Sequence, residues 1–314
     1  MAPRIGVIGS INADLVTFLE RLPQRGETLD ALGFKLHHGG KGANQAVAAA
    51  RLGSAVTMVG KVGADVFGDN ALANLQAHSI DTRHVGREAA VPTGLATILV
   101  EPSGENRIMI VAGANDRVLP DDIDRAAPDL LTCELILLQL EIPLATVHHA
   151  IRFGAEHGKA VALNPAPARP GLDPELLHRL TFLVPNRTEL AQLSGRPTES
   201  VADVAAASRT LLPAAAEGAV IATMGAEGAF VSTTLKTTQI AGVAARPVDT
   251  TGAGDAFIGS FAHFYATMHD VTEAARRAVR YAALSITRRG AQAAYADAAE
   301  FQAFCERIDS GAQA

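Results

Sequence analysis

The sequence predicts an α/β fold built on a mostly parallel sheet, with a small β appendage. Short apolar runs alternate with helix-patterned stretches for most of the 314 residues, which is the rhythm of βαβ units. Two segments break that rhythm with hairpin chemistry, the turn sequences PQRG and PSGEN each lying between alternating strand-like residues. At this length the chain is either two average domains or one large α/β domain with an appendage, and either buries a sizeable core.

The elements follow in order. Strands are predicted over residues 5–8, 56–59, 135–140, 161–163, 182–184 and 220–223, each a short apolar run. Between them the Ala-rich stretch 42–52 reads as a helix stopped by Gly53, and 144–156 as one stopped by Gly158. Helical patterns also cover 202–212, 271–286 and AFIGSFAHFYATMH, residues 256–269. The appendage combines 15–36 with 93–111. Both pieces adjoin Asn12, Asp14 and a glycine motif at Gly39, so the appendage is expected to close over a ligand as a lid. No internal repeat, linker or low-complexity tract is visible, and the tail from Ser310 is expected to fray.

Composition excludes several classes. Hydrophobic residues at 48% and charged residues at 19% rule out a disordered or collagen-like chain, and the mean hydropathy of +0.16 agrees. A net charge of −6, an aromatic content of 4% and no Trp argue against nucleic acid, which needs a basic footprint and stacking platforms. The only basic concentration is Arg276, Arg277, Arg280, Arg288 and Arg289, read as a solvated helix face and the turn after it. Cys133 and Cys305 have no disulfide or metal spacing, which points to a reducing compartment. The start runs into a strand-like segment at Ile5 without a leader pattern, and no apolar run approaches about 18 residues. A cytoplasmic protein with no membrane role is expected.

The most informative stretch is DTTGAGDAF, from Asp249 to Phe257. Gly252 and Gly254 allow a tight turn before a helix, whose first amides are unpaired and whose dipole is positive at that end. A phosphate or a developing phosphoryl anion could bind at Gly252, Ala253 and Gly254. Asp255 beside that hole would repel a resting phosphate, so its reading is a general base for a hydroxyl attacking phosphorus; the alternative is a helix cap.

A second glycine motif, Gly39-Gly40-Lys41-Gly42-Ala43-Asn44, precedes the Ala-rich helix. It exposes amides, supplies the mobile Lys41 cation and offers Asn44 as donor and acceptor to a polyhydroxyl ligand, unless it is an ordinary pre-helix turn. Asn12 and Asp14 follow the first strand, and Glu141 ends another, where open α/β sheets bind ligands. Carboxylates and amides there suit sugar hydroxyls; each could equally be a turn or cap residue. In VPNRTE, Asn186 and Glu189 could hold a hydrated Mg²⁺ and phosphate oxygens indirectly. TMGAEG, residues 223–228, is either a glycine turn for a nucleotide or an ordinary hairpin. No GKS or GKT, no GxGxxG after the first strand, no HExxH and no GxSxG occurs, which disfavours P-loop, dinucleotide, zinc and acyl-transfer chemistry.

Taken together, GSINAD, GGKGANQAVAAARLG, AGAN, QLE, NPAPA, PNRTE, TMGAEG and DTTGAGD resemble the ribokinase-type (PfkB) carbohydrate kinases, in that family's order and over nearly the whole chain. The resemblance implies one ribokinase-like three-layer α/β/α domain over residues 1–314. Its β-sheet lid would span about 14–38 and 93–112 and pair in a homodimer. It implies ATP-dependent phosphorylation of a sugar, D-ribose at its 5-hydroxyl, with fructose, deoxyribose or a nucleoside as alternatives. By the same resemblance Asn12, Asp14, Gly40, Lys41, Gly42, Asn44 and Glu141 hold the sugar, and Asp255 is the base. Asn186, Thr223, Gly225, Gly228 and Gly254 line the nucleotide site, and Glu189 belongs to an element tied to magnesium. A monovalent-cation site for K⁺ is implied at Asp249, Thr251, Ser285, Arg288 and Gly290. There the chain departs from relatives that supply a serine oxygen, because Ala294 has no side-chain acceptor.

Overall fold

A computed structural model describes residues 2–103 and 105–310. Gly104 of the PSGEN turn and the tail after Ser310 lie outside the described residues. The chain begins with β1 (Arg4–Ile8), then β2 (Asn12–Phe18), β3 (Gly33–Gly39), α1 (Lys41–Arg51), β4 (Ala55–Gly63), α2 (Val66–Ala77) and β5 (Asp81–Glu88). The hairpin β6 (Gly94–Val100) and β7 (Asn106–Val111) precedes α3 (Pro120–Leu130), β8 (Leu135–Leu138), α4 (Leu144–Glu156) and β9 (Ala160–Leu163). The second half holds α5 (Pro174–Leu177), β10 (Phe182–Leu183), α6 (Arg187–Ser194), α7 (Val201–Thr210), β11 (Ala219–Thr223), β12 (Ala229–Thr233) and β13 (Thr237–Ile240). It closes with α8 (Ala253–Met268), α9 (Val271–Ser285) and α10 (Ala298–Asp309).

Among the described residues the large sheet runs β13-β12-β11-β10-β9-β8-β1-β4-β5. It is parallel from β11 to β5, and only β12 and β13 are antiparallel. Alternating strand side chains supply two cores. Ile5, Val7, Leu135 and Leu137 pack with residues of α1, α8 and α9, while Ile8, Ile136 and Leu138 pack with α3, α4 and α7. These are the three layers, and they follow from strands that are apolar on both faces.

All six predicted strands and all five predicted helices form, with ends displaced by at most four residues. One shift bears on the site: α8 begins three residues early, at Ala253 with Gly252 as its cap, so Asp255 lies inside the first turn. The short β8 ends at Leu138, because beyond it the backbone turns and the Leu140 amide donates to the carbonyl of Ala166. β5 escapes the apolar-run criterion because its residues are mostly polar, DTRHVGRE.

The appendage is a separate four-stranded sheet in the order β3-β2-β6-β7. It starts two residues earlier than the expected 14–38, since Asn12 already pairs with Gly39 and Gly94. The basic cluster lies on α9 and the turn after it, as expected, and four of its five arginines are paired there: Arg276 and Arg277 meet Glu273, Arg280 meets Asp309, and Arg288 meets Glu300.

Candidate active site

The sheet's connections leave β1 in one direction toward β4 and β5, and β8 in the other toward β9 and β10. The crevice at the carboxyl ends of β1 and β8 is therefore the topological switch point, where such sheets bind ligands. Residues just beyond those ends supply Ser10, Asn12, Gln139 and Glu141.

Asp255 is buried at 7% exposure, and its carboxylate is held by two donors from α1. Asn44 Nδ2 donates to Oδ2 and Gln45 Nε2 to Oδ1, each at 3.0 Å. Asp255 therefore does not cap α8, and the cap reading of this residue is set aside. At the cap itself, Gly252 has φ 74°, and a Cβ there would lie 2.7 Å from the Tyr295 hydroxyl, so only glycine fits. Tyr295 donates to the Gly252 carbonyl at 3.0 Å. The Ala253 amide donates to Thr250, while the amides of Gly252, Gly254 and Asp255 have no partner among the described residues. Three unpaired donors at a helix N-terminus form an anion-binding surface next to a buried carboxylate.

On the wall beyond the end of β1, Asn12 is nearly fully buried and oriented by Asn115, whose Nδ2 donates to Asn12 Oδ1 at 2.7 Å. Asn115 is fixed in turn through Ile11, accepting from its amide at 2.9 Å. Asn12 Nδ2 is left without a partner among the described residues and is the donor it presents. Asp14 carries no side-chain hydrogen bond among the described residues. Burial, then the charges of Glu141 and Asp255, push its carboxyl from 3.8 up to about 7.

Glu141 is partly used by the protein. Its Oε2 accepts the Ser10 hydroxyl at 2.5 Å and the Lys41 amide at 3.0 Å, tying β8 to the start of α1. Gly40 caps that helix at φ 86°, and the Gly42 amide donates to the Ser10 hydroxyl. The Lys41 ammonium is held above its ordinary pKa mainly by Asp255, against burial, with help from Glu141 and Glu189.

The Asn186–Glu189 pair forms a capping box at the start of α6, both Glu189 oxygens accepting from Asn186 at 2.8 Å. Burial raises the Glu189 pKa, with the Asn186 backbone donor and Lys41 opposing and Asp255 reinforcing it, so this corner faces the same centre. Thr223, the last residue of β11, bridges Asn186 in parallel register, and Gly225 and Gly228 shape the turn into β12. That turn joins the antiparallel β11 and β12, so TMGAEG is a hairpin turn placed at the carboxyl end of β11.

Asp249 accepts from the amides of Thr251 and Gly290, each at 2.9 Å. Burial opposes its ionisation, and these donors outweigh burial and lower its pKa. The Val248 and Asp249 amides both donate to the Ile286 carbonyl, which joins this loop to the one carrying Ser285, Arg288 and Gly290. Ala294 is fully buried. A cleft of about 510 Å³ lies between the small sheet and these loops, lined by Asp14, Lys35, His37, Asp249, Thr251 and Gly290 among others.

Sequence reasoning missed Gln45 and Asn115, and with them Gln139 and Asn164, which hydrogen-bond to Gln45, and Gln292, which donates to Asn44. Gln45 stands beside Asn44 in the glycine motif and Asn115 within AGAN, but amides carry no spacing signature of their own.

A buried carboxylate beside an anion-binding helix tip, with carboxylates and amides across the crevice, is the site of a sugar kinase of ribokinase-like architecture. Residues 2–298 match the family described as pfkB family carbohydrate kinase. Over 300 residues the chain is 46% identical to the deoxyribokinase of Salmonella typhi, covering 96% of this chain and 98% of that one. It is 40% identical to the ribokinase of Bacillus subtilis over 288 residues, covering 92% and 94%. The structure of Arabidopsis thaliana ribokinase complexed with ribose and ATP aligns with a TM-score of 0.88 at 32% identity, covering 97% and 99%. The chain belongs to the pfkB family of carbohydrate kinases and is an ATP-dependent carbohydrate kinase.

Proposed function

We propose that this kinase transfers the γ-phosphoryl group of ATP to the 5-hydroxyl of D-ribose, giving D-ribose 5-phosphate and ADP. The observation that carries the reading is Asp255, buried and aligned by two amides beside three unpaired N–H groups. As the new O–P bond forms and the bond to ADP breaks, the hydroxyl proton passes to Asp255. The α8 amides and Lys41 stabilise the charge on the transferring group. Asn12, Asp14, Gly40, Gly42, Asn44 and Glu141 position the sugar, and Asn186, Thr223, Gly225, Gly228 and Gly254 line the nucleotide.

Magnesium fits this site as an ion held chiefly by phosphate oxygens and water. Among the described residues no group of three or more His, Cys, Asp or Glu could hold a metal, and Glu189 already receives Asn186 at both oxygens. When bound, the ion neutralises phosphate charge. The Asp249 carboxylate, which accepts the Thr251 and Gly290 amides on a loop joined through Ile286 to the one carrying Ser285, Arg288 and Gly290, is the anionic group that would hold a monovalent cation such as K⁺, with Ala294 leaving one oxygen to water or a carbonyl.

A second reading, 2-deoxyribose as the preferred sugar, is favoured by the 46% identity to the Salmonella typhi deoxyribokinase. Asn12 weighs against it: a buried amide whose free donor meets no hydroxyl is left unsatisfied, at about 1–3 kcal/mol. The test is coupled ADP detection with ribose, 2-deoxyribose, fructose and adenosine, with and without potassium. kcat/KM is expected to be highest for ribose, and Asn12→Ala to shrink the ribose-to-deoxyribose ratio on the order of 10-fold. A parent enzyme faster on 2-deoxyribose would reverse the assignment.

The exposed Phe34, Leu36, Ile108, Met109, Ile110 and Val111 on β3 and β7 support a homodimer formed through the small sheet. Light scattering is expected to give a mass near twice the 32.6 kDa of one chain; a monomer at micromolar concentration would refute it. Both cysteines are free, which suits a reducing cytoplasm, and among the described residues no helix is long and apolar enough to cross a membrane.

A further inference from the structure

We infer that Gln45 and Gln139 are positioning residues for Asp255, an oriented row of buried side-chain amides that holds the carboxylate in line with the substrate alcohol. The inference rests on the reading of Asp255 as the general base. Gln139, just past the end of β8, donates its Nε2 to Gln45 Oε1 at 2.7 Å, and Gln45 donates its own Nε2 to Asp255 Oδ1 at 3.0 Å. Both glutamines are fully buried, so water cannot replace either bond. A second row reaches the other oxygen: Asn74 donates to Gln292, Gln292 to Asn44, and Asn44 to Asp255 Oδ2, at 2.7, 2.9 and 3.0 Å. In both rows every amide points its donor end toward the carboxylate, which aligns their dipoles on one acceptor.

Two independent features show that this orientation is built in. Gln139 Oε1 is buried with no hydrogen-bond partner. Turning Gln139 over would remove the donor that Gln45 Oε1 receives, and the orphaned oxygen is the counterpart of aiming the row at Asp255. The second feature is Gly259, one helical turn after Asp255. A Cβ there would lie 2.4 Å from the Gln45 carbonyl and 2.7 Å from Ala48 Cβ, so glycine at this position lets α1 and α8 approach at Gln45. That contact delivers the Gln45 side chain to Asp255. Around the carboxylate stand Lys41 from α1, Asp14 from β2, Glu189 from α6 and the Tyr295 hydroxyl. A carboxylate among these charges needs neutral tethers to hold one rotamer.

The test is Gln45→Met, which preserves length and apolar volume and removes the bonds to Gln139 and Asp255 together with a longer one, at 3.4 Å, from Gln45 Nε2 to Asn164 Oδ1. kcat is expected to fall about 10- to 100-fold, the scale of a misplacement near 1 Å, while KM for sugar and for ATP stays within about twofold. In an Asp255→Asn background the same change is expected to cause no further loss, because no base remains to be positioned. Equal losses in both backgrounds would mean a merely structural role and overturn the proposal. So would a parental kcat in Gln45→Met alongside a crippled Asp255→Asn. If Gln45→Met fails to fold, Gln139→Met supports the same comparison, with a several-fold fall in the parent and none beside Asp255→Asn. Near-normal turnover in Asp255→Asn alone would instead overturn the base assignment.

Discussion

Asp255→Asn is expected to lower kcat by about 10²–10⁴ while leaving ATP affinity within about twofold. The change keeps the shape of the side chain and its place in the first turn of α8, but removes the carboxylate proposed to accept the hydroxyl proton. The carboxylate already receives Asn44 and Gln45, and its remaining lone pairs are those available to the substrate alcohol. The amides of Gly252, Gly254 and residue 255 are backbone groups and survive the substitution, so phosphate binding does too. Single-turnover kinetics with ATP titration by calorimetry separates the two quantities. Turnover within about threefold of the parent would remove Asp255 from the chemistry.

Asp14→Asn is expected to weaken sugar binding and stabilise the fold, with a pH signature. The carboxyl of Asp14 rises from 3.8 to about 7 on folding, first through burial and then through Glu141 and Asp255. Between these values the folded state binds a proton that the unfolded chain has released. Stability contributed by this group therefore falls as pH rises through that window. The penalty is absent below about pH 4 and fully present above about pH 7. With about 1.4 kcal/mol per pKa unit, relief on substitution is on the order of 2–4 kcal/mol above neutrality. Melting curves at pH 5 and pH 8 should show the variant gaining over the parent mainly at the higher pH. An equal difference at both would contradict the buried ionised carboxylate. The same substitution is expected to raise KM for sugar roughly 10- to 100-fold, the loss of a charge-assisted hydrogen bond, with KM for ATP little changed. In the parent, sugar KM should climb on the acid side of pH 7 as Asp14 takes up its proton.

Much of the fold is legible from local pattern. The runs at 5–8, 135–140 and 161–163 are buried on both faces, and apolar residues with no polar alternation have no stable place but a covered parallel sheet. PQRG and PSGEN locate the small sheet because turn chemistry acts over four or five residues. β5 and β13, the two edges of the large sheet, are less legible, since an edge strand with one solvated face needs no apolar run.

The site divides in the same way. Asp255, its glycine turn and the polar residues at the ends of β1 and β8 are visible in the chain, because helix starts and strand ends announce themselves within a few residues. The partners of these groups are not. Asn12 is oriented by Asn115, separated from it by 103 positions, and Asp255 by Gln45, separated by 210. Nor does the motif at Glu189 reveal that its carboxylate is turned back onto Asn186. By itself, then, the amino-acid order determined which chemical groups stand at the mouth of the sheet. Tertiary structure alone decided which of them touch, how they are oriented and how strongly Asp14 resists ionisation. Local preferences extend over one turn or one strand, whereas burial and hydrogen bonding across the crevice depend on the strand order that brings distant segments together.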